Sequence, residues 1–241
     1  MLESERPLIQ TEYLRRYNHA SVIVAQNTKL RDMAREKGLD HVLNLTIGNG
    51  INTEEFTPAR DYPEEFTVGA SGNFSLEAFD EWKGFGRYIV PACKLAKVKL
   101  RWCSWKGQAF SMPKTVGEQV PLNMMNKWYH GLSCLVSMSK SEGCSGVVFE
   151  AMASGLPVIS TKVGWHGDKC TDQILWAERP QEQTPYTDKV TIEELTHRIL
   201  WLKNHPAAAR AVGARARKFS EGWPHSRVAD QWRRVFSTLR V

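Results

Sequence analysis

The chain has 241 residues, of which 42% are hydrophobic and 24% charged, with a formal net charge of +6. That length holds one domain or one and a half at roughly 100–200 residues each, and it excludes two full nucleotide-binding domains joined by a hinge. The apolar content suffices for a core, and 17 Gly with 11 Pro exclude collagen-like and low-complexity architectures.

In chain order, a polar helix is expected over about Pro7–Tyr17, then a short strand at Ser21–Ala25. Asn27–Gly38 reads as a helix, with Asn27 as cap, an apolar face of Leu30, Met33 and Ala34, and Gly38 as terminator. His41–Ile47 is a strand ending in the turn Gly48-Asn49-Gly50, and Thr57–Pro63 is a linker. The pattern restarts with a strand at Phe66–Val68, a small-residue loop at Gly69–Asn73 and a helix at Lys83–Lys97 that Pro91 bends or begins. Lys99–Ser104 is a strand, and the alternation of Lys97, Lys99 and Arg101 with Val98, Leu100 and Trp102 gives it one wet and one buried face. Further helices are expected at Leu122–Tyr129, Gly146–Ser154, Ile192–Lys203, Ala207–Phe219 and Arg227–Leu239, and further strands at Leu132–Ser137 and Pro157–Ser160. Lys162–Tyr186 reads as a polar loop. Strands alternating with helices predict an α/β fold, a Rossmann-like parallel sheet with helices on both faces. Ligands of such sheets sit at the carboxyl ends of the strands.

No window of about 18 apolar residues occurs, so no membrane-spanning helix is expected. Met1–Pro7 lacks the pattern of a signal peptide. Five cysteines, an odd number without C-x-x-C spacing, read as reduced thiols, and no His/Cys spacing suits zinc. A cytoplasmic location follows, with peripheral attachment to a membrane as the alternative. The positive charge is compatible with phosphorylated ligands, anionic membranes or nucleic acid.

The chemistry concentrates at Ser139–Thr161, where two glutamates, Glu142 and Glu150, stand eight residues apart. A strand leads into a Gly/Ser loop that opens a helix, so unpaired amides and the helix dipole favour a negative group there. Gly143 and Gly146 let the backbone approach a ligand closely. Glu150 is placed to accept bonds from ribose hydroxyls, and Glu142 stands at the loop mouth, where a sugar would lie.

The Glu-x7-Glu spacing followed by Ala151-Met152-Ala153 and Gly155 through Ile159 resembles family 4 of the retaining glycosyltransferases, which have the GT-B fold. Segments in the same order also resemble it: Ile47 through Pro58, Val68-Gly69, Lys83-Gly84, Tyr129–Ser139, Val163–Asp168, and Ser220–Trp223 with the last helix. The resemblance implies one GT-B half plus the last strand and helix of the other. It divides the chain into a remnant of an amino-terminal domain with linker (1–58), a nucleotide-sugar-binding domain (59–222) and a carboxyl-terminal helix (223–241).

It also implies a retaining transfer of a sugar from a nucleoside-diphosphate sugar to an acceptor, with no metal and no cofactor. Lys83 would neutralise the diphosphate, and Glu150 would bind ribose. Glu142, with the amides of Gly143, Cys144 and Ser145, would hold the sugar; Glu142 and Lys83 are the expected catalytic pair. Gly69, Asn73, Gly146 and His166 complete the expected donor site. The sequence departs from the family where an Arg usually follows the first strand; here Asn73, Arg87 or another cation would stand in. Trp165 replaces a glycine beside the donor pocket, and Trp82 and Trp165 are placed to stack on a sugar or base. The acceptor is expected to be a glycan or lipid, with a membrane surface or nucleic acid as further possibilities. The amino-terminal acceptor domain is largely absent, so the chain reads as a fragment, as half of a split enzyme completed by a partner chain, or as a minimal enzyme that dimerises. Met1 and the helix expected before Ser21 favour a complete gene. A non-catalytic nucleotide-sugar-binding subunit is the alternative function.

Overall fold

The computed structural model describes residues 17, 19–59, 61–72, 82–103, 115–180 and 182–239. The helix expected before Ser21 lies outside them except for Tyr17, as does Asn73. Two sheets form. In the smaller, β1 (Ile23–Ala25) and β2 (Val42–Thr46) run parallel, joined by α1 (Thr28–Glu36). Asn27 caps α1 as its spacing predicts, accepting a bond from the Leu30 amide at 2.9 Å.

The larger sheet has six strands in the order β5-β4-β3-β6-β7-β8, every neighbouring pair parallel. Its strands are β3 (Thr67–Ser71), β4 (Lys99–Cys103), β5 (Thr115–Glu118), β6 (Cys134–Ser137), β7 (Val158–Thr161) and β8 (Leu175–Ala177). The helices between and after them are α2 (Val90–Ala96), α3 (Met125–His130), α4 (Gly146–Ala153), α5 (Gly164–Lys169), α6 (Pro185–Asn204), α7 (Pro206–Glu221) and α8 (His225–Thr238). A π-helical turn, Phe85–Ile89, precedes α2.

The side chains of a strand alternate across the sheet, and the two faces bury separate cores. Val68, Leu100, Trp102, Val136 and Ile159 pack under α2 and α6, with Tyr88, Ala92, Leu195 and Ile199. Leu135 and Val158 face the other way, against Phe149 and Met152 of α4, Trp128 and Tyr129 of α3, and Ala216 of α7. Helices therefore cover both faces, the expected α/β arrangement.

The differences are local. Lys97 is not on a strand face but caps α2 in the left-handed conformation, φ 51°. Pro91 stands in the first turn of α2, where its missing N–H costs nothing. Helix α6 starts seven residues before Ile192, because Thr184 forms a capping box with Thr187 ahead of Pro185. Strands β5 and β8 and helix α5 are absent from the sequence reading; they are three to six residues long and carry too little pattern to register. The amino- and carboxyl-terminal segments meet, the Ile51 amide donating to the Trp223 carbonyl at 3.0 Å.

Candidate functional site

Lys83 and Glu142, separated by 59 positions, come together at the carboxyl edge of the sheet: Lys83 Nζ lies 2.5 Å from Glu142 Oε1. Lys83 stands just before the π-helical turn. Gly84 bridges the two with φ +66°, and a β-carbon there would sit 2.8 Å from the Met138 carbonyl. Only glycine permits this left-handed step against β6. The turn is tied down from below. Arg87 pairs with Asp188 of α6 at 2.8 Å, and the Tyr88 hydroxyl donates to the same carboxylate at 2.8 Å. Burial and that carboxylate together push the Tyr88 phenol up to about 12. Arg179, just past β8, lies over the Tyr88 ring at 5.1 Å and donates to the carbonyls of Trp82 and Met138. Arg87, the cation named from the sequence to stand in for the expected arginine, is thus bound to α6, and Arg179 braces the backbone that carries Lys83. Sequence reasoning did not find Arg179 or Asp188, and no local motif marks them.

The loop between β6 and α4 carries the rest. The amides of Gly143, Cys144 and Ser145 donate to no acceptor among the described residues. They lie just ahead of the α4 amino terminus, whose dipole adds to the same positive field. Glu150, on the fifth position of α4, receives the Tyr129 hydroxyl on Oε2 at 2.8 Å, while Oε1 faces Gly146. Burial raises the Glu150 carboxyl above its ordinary value, and the Tyr129 bond works against that rise. One carboxylate oxygen therefore remains to accept hydroxyls.

The amino-terminal unit reaches this loop, which the sequence did not foretell. Besides capping α1, Asn27 donates through Nδ2 to the carbonyls of Glu142 and Gly143, both at 3.0 Å. The Thr28 amide and hydroxyl both donate to Asp168 of α5, at 2.7 and 2.8 Å. Asn49 donates to the Cys144 sulfur at 3.2 Å. Gly164 takes φ +64° where a β-carbon would press on Glu142, so α5 starts directly against the loop.

Three expected site residues stand elsewhere than the sequence suggests. Trp165 is not beside an open pocket but 1% exposed, edge-on to Trp223 at 4.5 Å and tilted against Phe149 at 4.9 Å. Its mass is accommodated because Gly48 leaves room over the indole. His166 is 0% exposed rather than a loop side chain open to a sugar; its Nε2 lies 3.2 Å from the Ser160 hydroxyl. Burial lowers its pKa to about 4, with nearby Glu142 opposing that fall, so the ring is neutral near pH 7. Gly69 lies within β3, where a β-carbon would collide with Leu132, so packing alone accounts for the glycine. Trp82 does remain available, 44% exposed, with Lys140 5.9 Å from its ring centre. Among the described residues no three His, Cys, Asp or Glu side chains converge as metal ligands, and no helix is long and apolar enough to cross a membrane.

Residues 107–185 match the family model described as glycosyl transferases group 1. No curated protein matches the sequence. Solved structures share the fold over nearly the whole chain. Anabaena Alr3699/HepE, in complex with UDP-glucose, aligns with a TM-score of 0.73 at 16% identity, covering 94% of this chain and 67% of that one. Sucrose-phosphate synthase (tll1590) from Thermosynechococcus elongatus gives 0.74 at 20% identity, over 94% and 61%. A chain of the GtfA/B complex gives 0.61 at 14% identity, over 93% and 46%. The chain thus spans about half to two thirds of the length of these structures.

Proposed function

We propose that this chain is the donor-binding part of a retaining, metal-independent glycosyltransferase that moves a sugar from a nucleoside-diphosphate sugar to a glycan or lipid acceptor. The observation that carries the reading is the Lys83–Glu142 ion pair beside three unengaged loop amides, with Glu150 half-satisfied behind them. The group 1 match across residues 107–185 supports it.

Each group has a role that its position suits. As the bond from the anomeric carbon to the diphosphate oxygen breaks, negative charge grows on the leaving diphosphate. Once Glu142 has released it, the Lys83 ammonium stabilises that charge together with the amides at the α4 amino terminus. Glu142, turned from Lys83 toward the sugar, accepts its hydroxyls and fixes the anomeric carbon over the incoming acceptor. The free oxygen of Glu150 holds the ribose. With no protein nucleophile assigned, retention follows from attack on the face the diphosphate leaves, the diphosphate oxygen taking the acceptor's proton.

Calorimetric titration with UDP- and GDP-sugars, paired with transfer and donor-hydrolysis assays, tests this. Alr3699/HepE is solved with UDP-glucose, so UDP-sugars come first. Unchanged turnover in both Lys83→Ala and Glu142→Ala would sink the assignment. A second reading, a nucleotide-sugar-binding subunit completed by a partner chain or by a second copy, is favoured by the partial span and by a fold relative found as a two-protein complex. Donor binding without turnover by the isolated chain selects it.

A further inference from the structure

The amino-terminal segment bonds the carbonyls of the loop after β6 and leaves the N–H groups of that loop untouched. Asn27, only 2% exposed, donates through Nδ2 to the Glu142 and Gly143 carbonyls, both at 3.0 Å, while its Oδ1 accepts the Leu30 amide at 2.9 Å. Asn49 donates through Nδ2 to the Cys144 carbonyl at 3.4 Å, and through its backbone amide to the Cys144 sulfur. Gln26 donates in turn to Asn49 Oδ1 at 3.4 Å. Its own Oε1 takes the place that a β-carbon on Gly143 would occupy, so glycine at 143 makes room for this segment.

A trans peptide is planar, and the N–H of each residue points opposite to the carbonyl of the residue before it. Fixing the carbonyls of Glu142, Gly143 and Cys144 therefore fixes the N–H groups of Gly143, Cys144 and Ser145 and turns them away from the two asparagines. These are the three amides that donate to no acceptor among the described residues. Successive N–H groups on one side of a chain form a concave, positive nest for an anion. Asn27 suits the task because both hydrogens of Nδ2 and the Oδ1 are engaged, so its amide cannot turn over without losing all three bonds. Capping α1 needs only an acceptor, which Ser or Asp supplies as well. The two loop carbonyls need donors, and those Ser and Asp do not supply in the same way.

We infer that Asn27 and Asn49 are positioning residues for the donor: they hold the three loop amides toward its diphosphate without touching it themselves. The inference rests on the donor reading given above and adds to it two residues from outside the large sheet and its helices. On this account the amino-terminal segment shapes the anion site from behind, through the backbone of the loop.

The test titrates the full chain with UDP and with GDP, in wild type, N27S, N27D, N49A and T28A, followed by calorimetry and by backbone amide resonances. N27S and N27D keep the cap of α1 and lose the donors to the loop. T28A removes the hydroxyl bond from α1 to Asp168 and leaves the loop carbonyls alone. In wild type, saturation with the nucleoside diphosphate should shift the amide resonances of Gly143, Cys144 and Ser145. N27S should weaken affinity about tenfold and diminish those shifts, with the unfolding midpoint close to that of wild type. N27D should weaken it further, since its carboxylate faces carbonyl oxygens, and N49A somewhat less, in keeping with its longer bond. T28A should bind as wild type does. Undiminished affinity in both Asn27 variants overturns the inference. So does an equal loss in T28A, which would trace the effect to a loosened α1, or a wild-type complex in which the three amides do not shift. Each of these, with diphosphate binding intact in wild type, removes this inference alone. Absence of UDP and GDP binding by the folded wild type removes the donor reading and the positioning role with it.

Discussion

The two parts of the molecule that meet at Glu142 are built on different physics. From β6 through β7 almost every apolar side chain is sealed: α4 alone buries Val148, Phe149, Ala151, Met152 and Ala153. Helix α1, by contrast, buries none of its nine residues. It is held instead by directional bonds, from Asn27 to the loop carbonyls and from Thr28 to Asp168. The loop after β6 thus rests on packing that hardly yields, and is fastened on its other side by hydrogen bonds worth about 1 kcal/mol each. A packed base keeps the loop amides in place, and α1 forms a flap beside them held mainly by hydrogen bonds.

That contrast gives a graded set of expectations. Phe149→Ala, which empties the space against Trp165 and Phe219, should cost about 3–5 kcal/mol in chemical denaturation. Were the loss under 1 kcal/mol, the base would be far softer than its burial implies. Lys83→Ala should lower sugar transfer by about 100-fold or more while the unfolding midpoint barely moves, because Lys83 serves charge rather than packing. Equal losses of stability and activity would place Lys83 in the scaffold instead.

His166 offers a test by pH. Its folded pKa of about 4 lies below the ordinary 6.5, so between those values the unfolded chain binds a proton that the folded one refuses. Stability is therefore fully present above pH 6.5 and falls as pH drops toward 4, by on the order of 3 kcal/mol from this group. Comparing wild type with His166→Gln at both ends isolates the effect, since the raised Glu150 carboxyl acts in the opposite direction. An identical pH slope in the variant would mean that the ring takes up its proton as it does in the unfolded chain. The smallest expected change is Asn27→Ala, about 1–2 kcal/mol, confined to the flap. Amide exchange should quicken at residues 28–31 and in the loop at 142–144, with the β6 and β7 amides unaffected. Exchange quickening throughout the sheet would erase the distinction between the two parts.

Much of the local structure around Glu142 was legible because its signals are short-range. The spacing of Glu142 and Glu150 around a glycine loop, the helix that follows, and Asn27 as a cap all depend on neighbours within one or two turns. What stayed hidden involves partners distant in sequence. Asp188 and Arg179 brace the Lys83 turn from elements about 100 residues away. Trp165 and His166 follow a loop-like sequence, Lys162-Val163-Gly164, yet both are buried: Gly48, Phe219 and Trp223 close over Trp165, while His166 lies against Ser160 and stacks with Trp176. Nothing local distinguishes an aromatic ring aimed at a ligand from one aimed at a core.

The sequence by itself determined the alternation of strands and helices, the parallel sheet, and a glycine-containing loop between two glutamates, since periodicity and capping act over a few residues. Only the tertiary structure decided that Lys83 meets Glu142 across 59 positions and that Asn27 meets the same loop across 115. Closing such distances is a property of the whole packed chain. Its entropy cost is met by burial spread over both faces of the sheet, and no short stretch of residues records that balance.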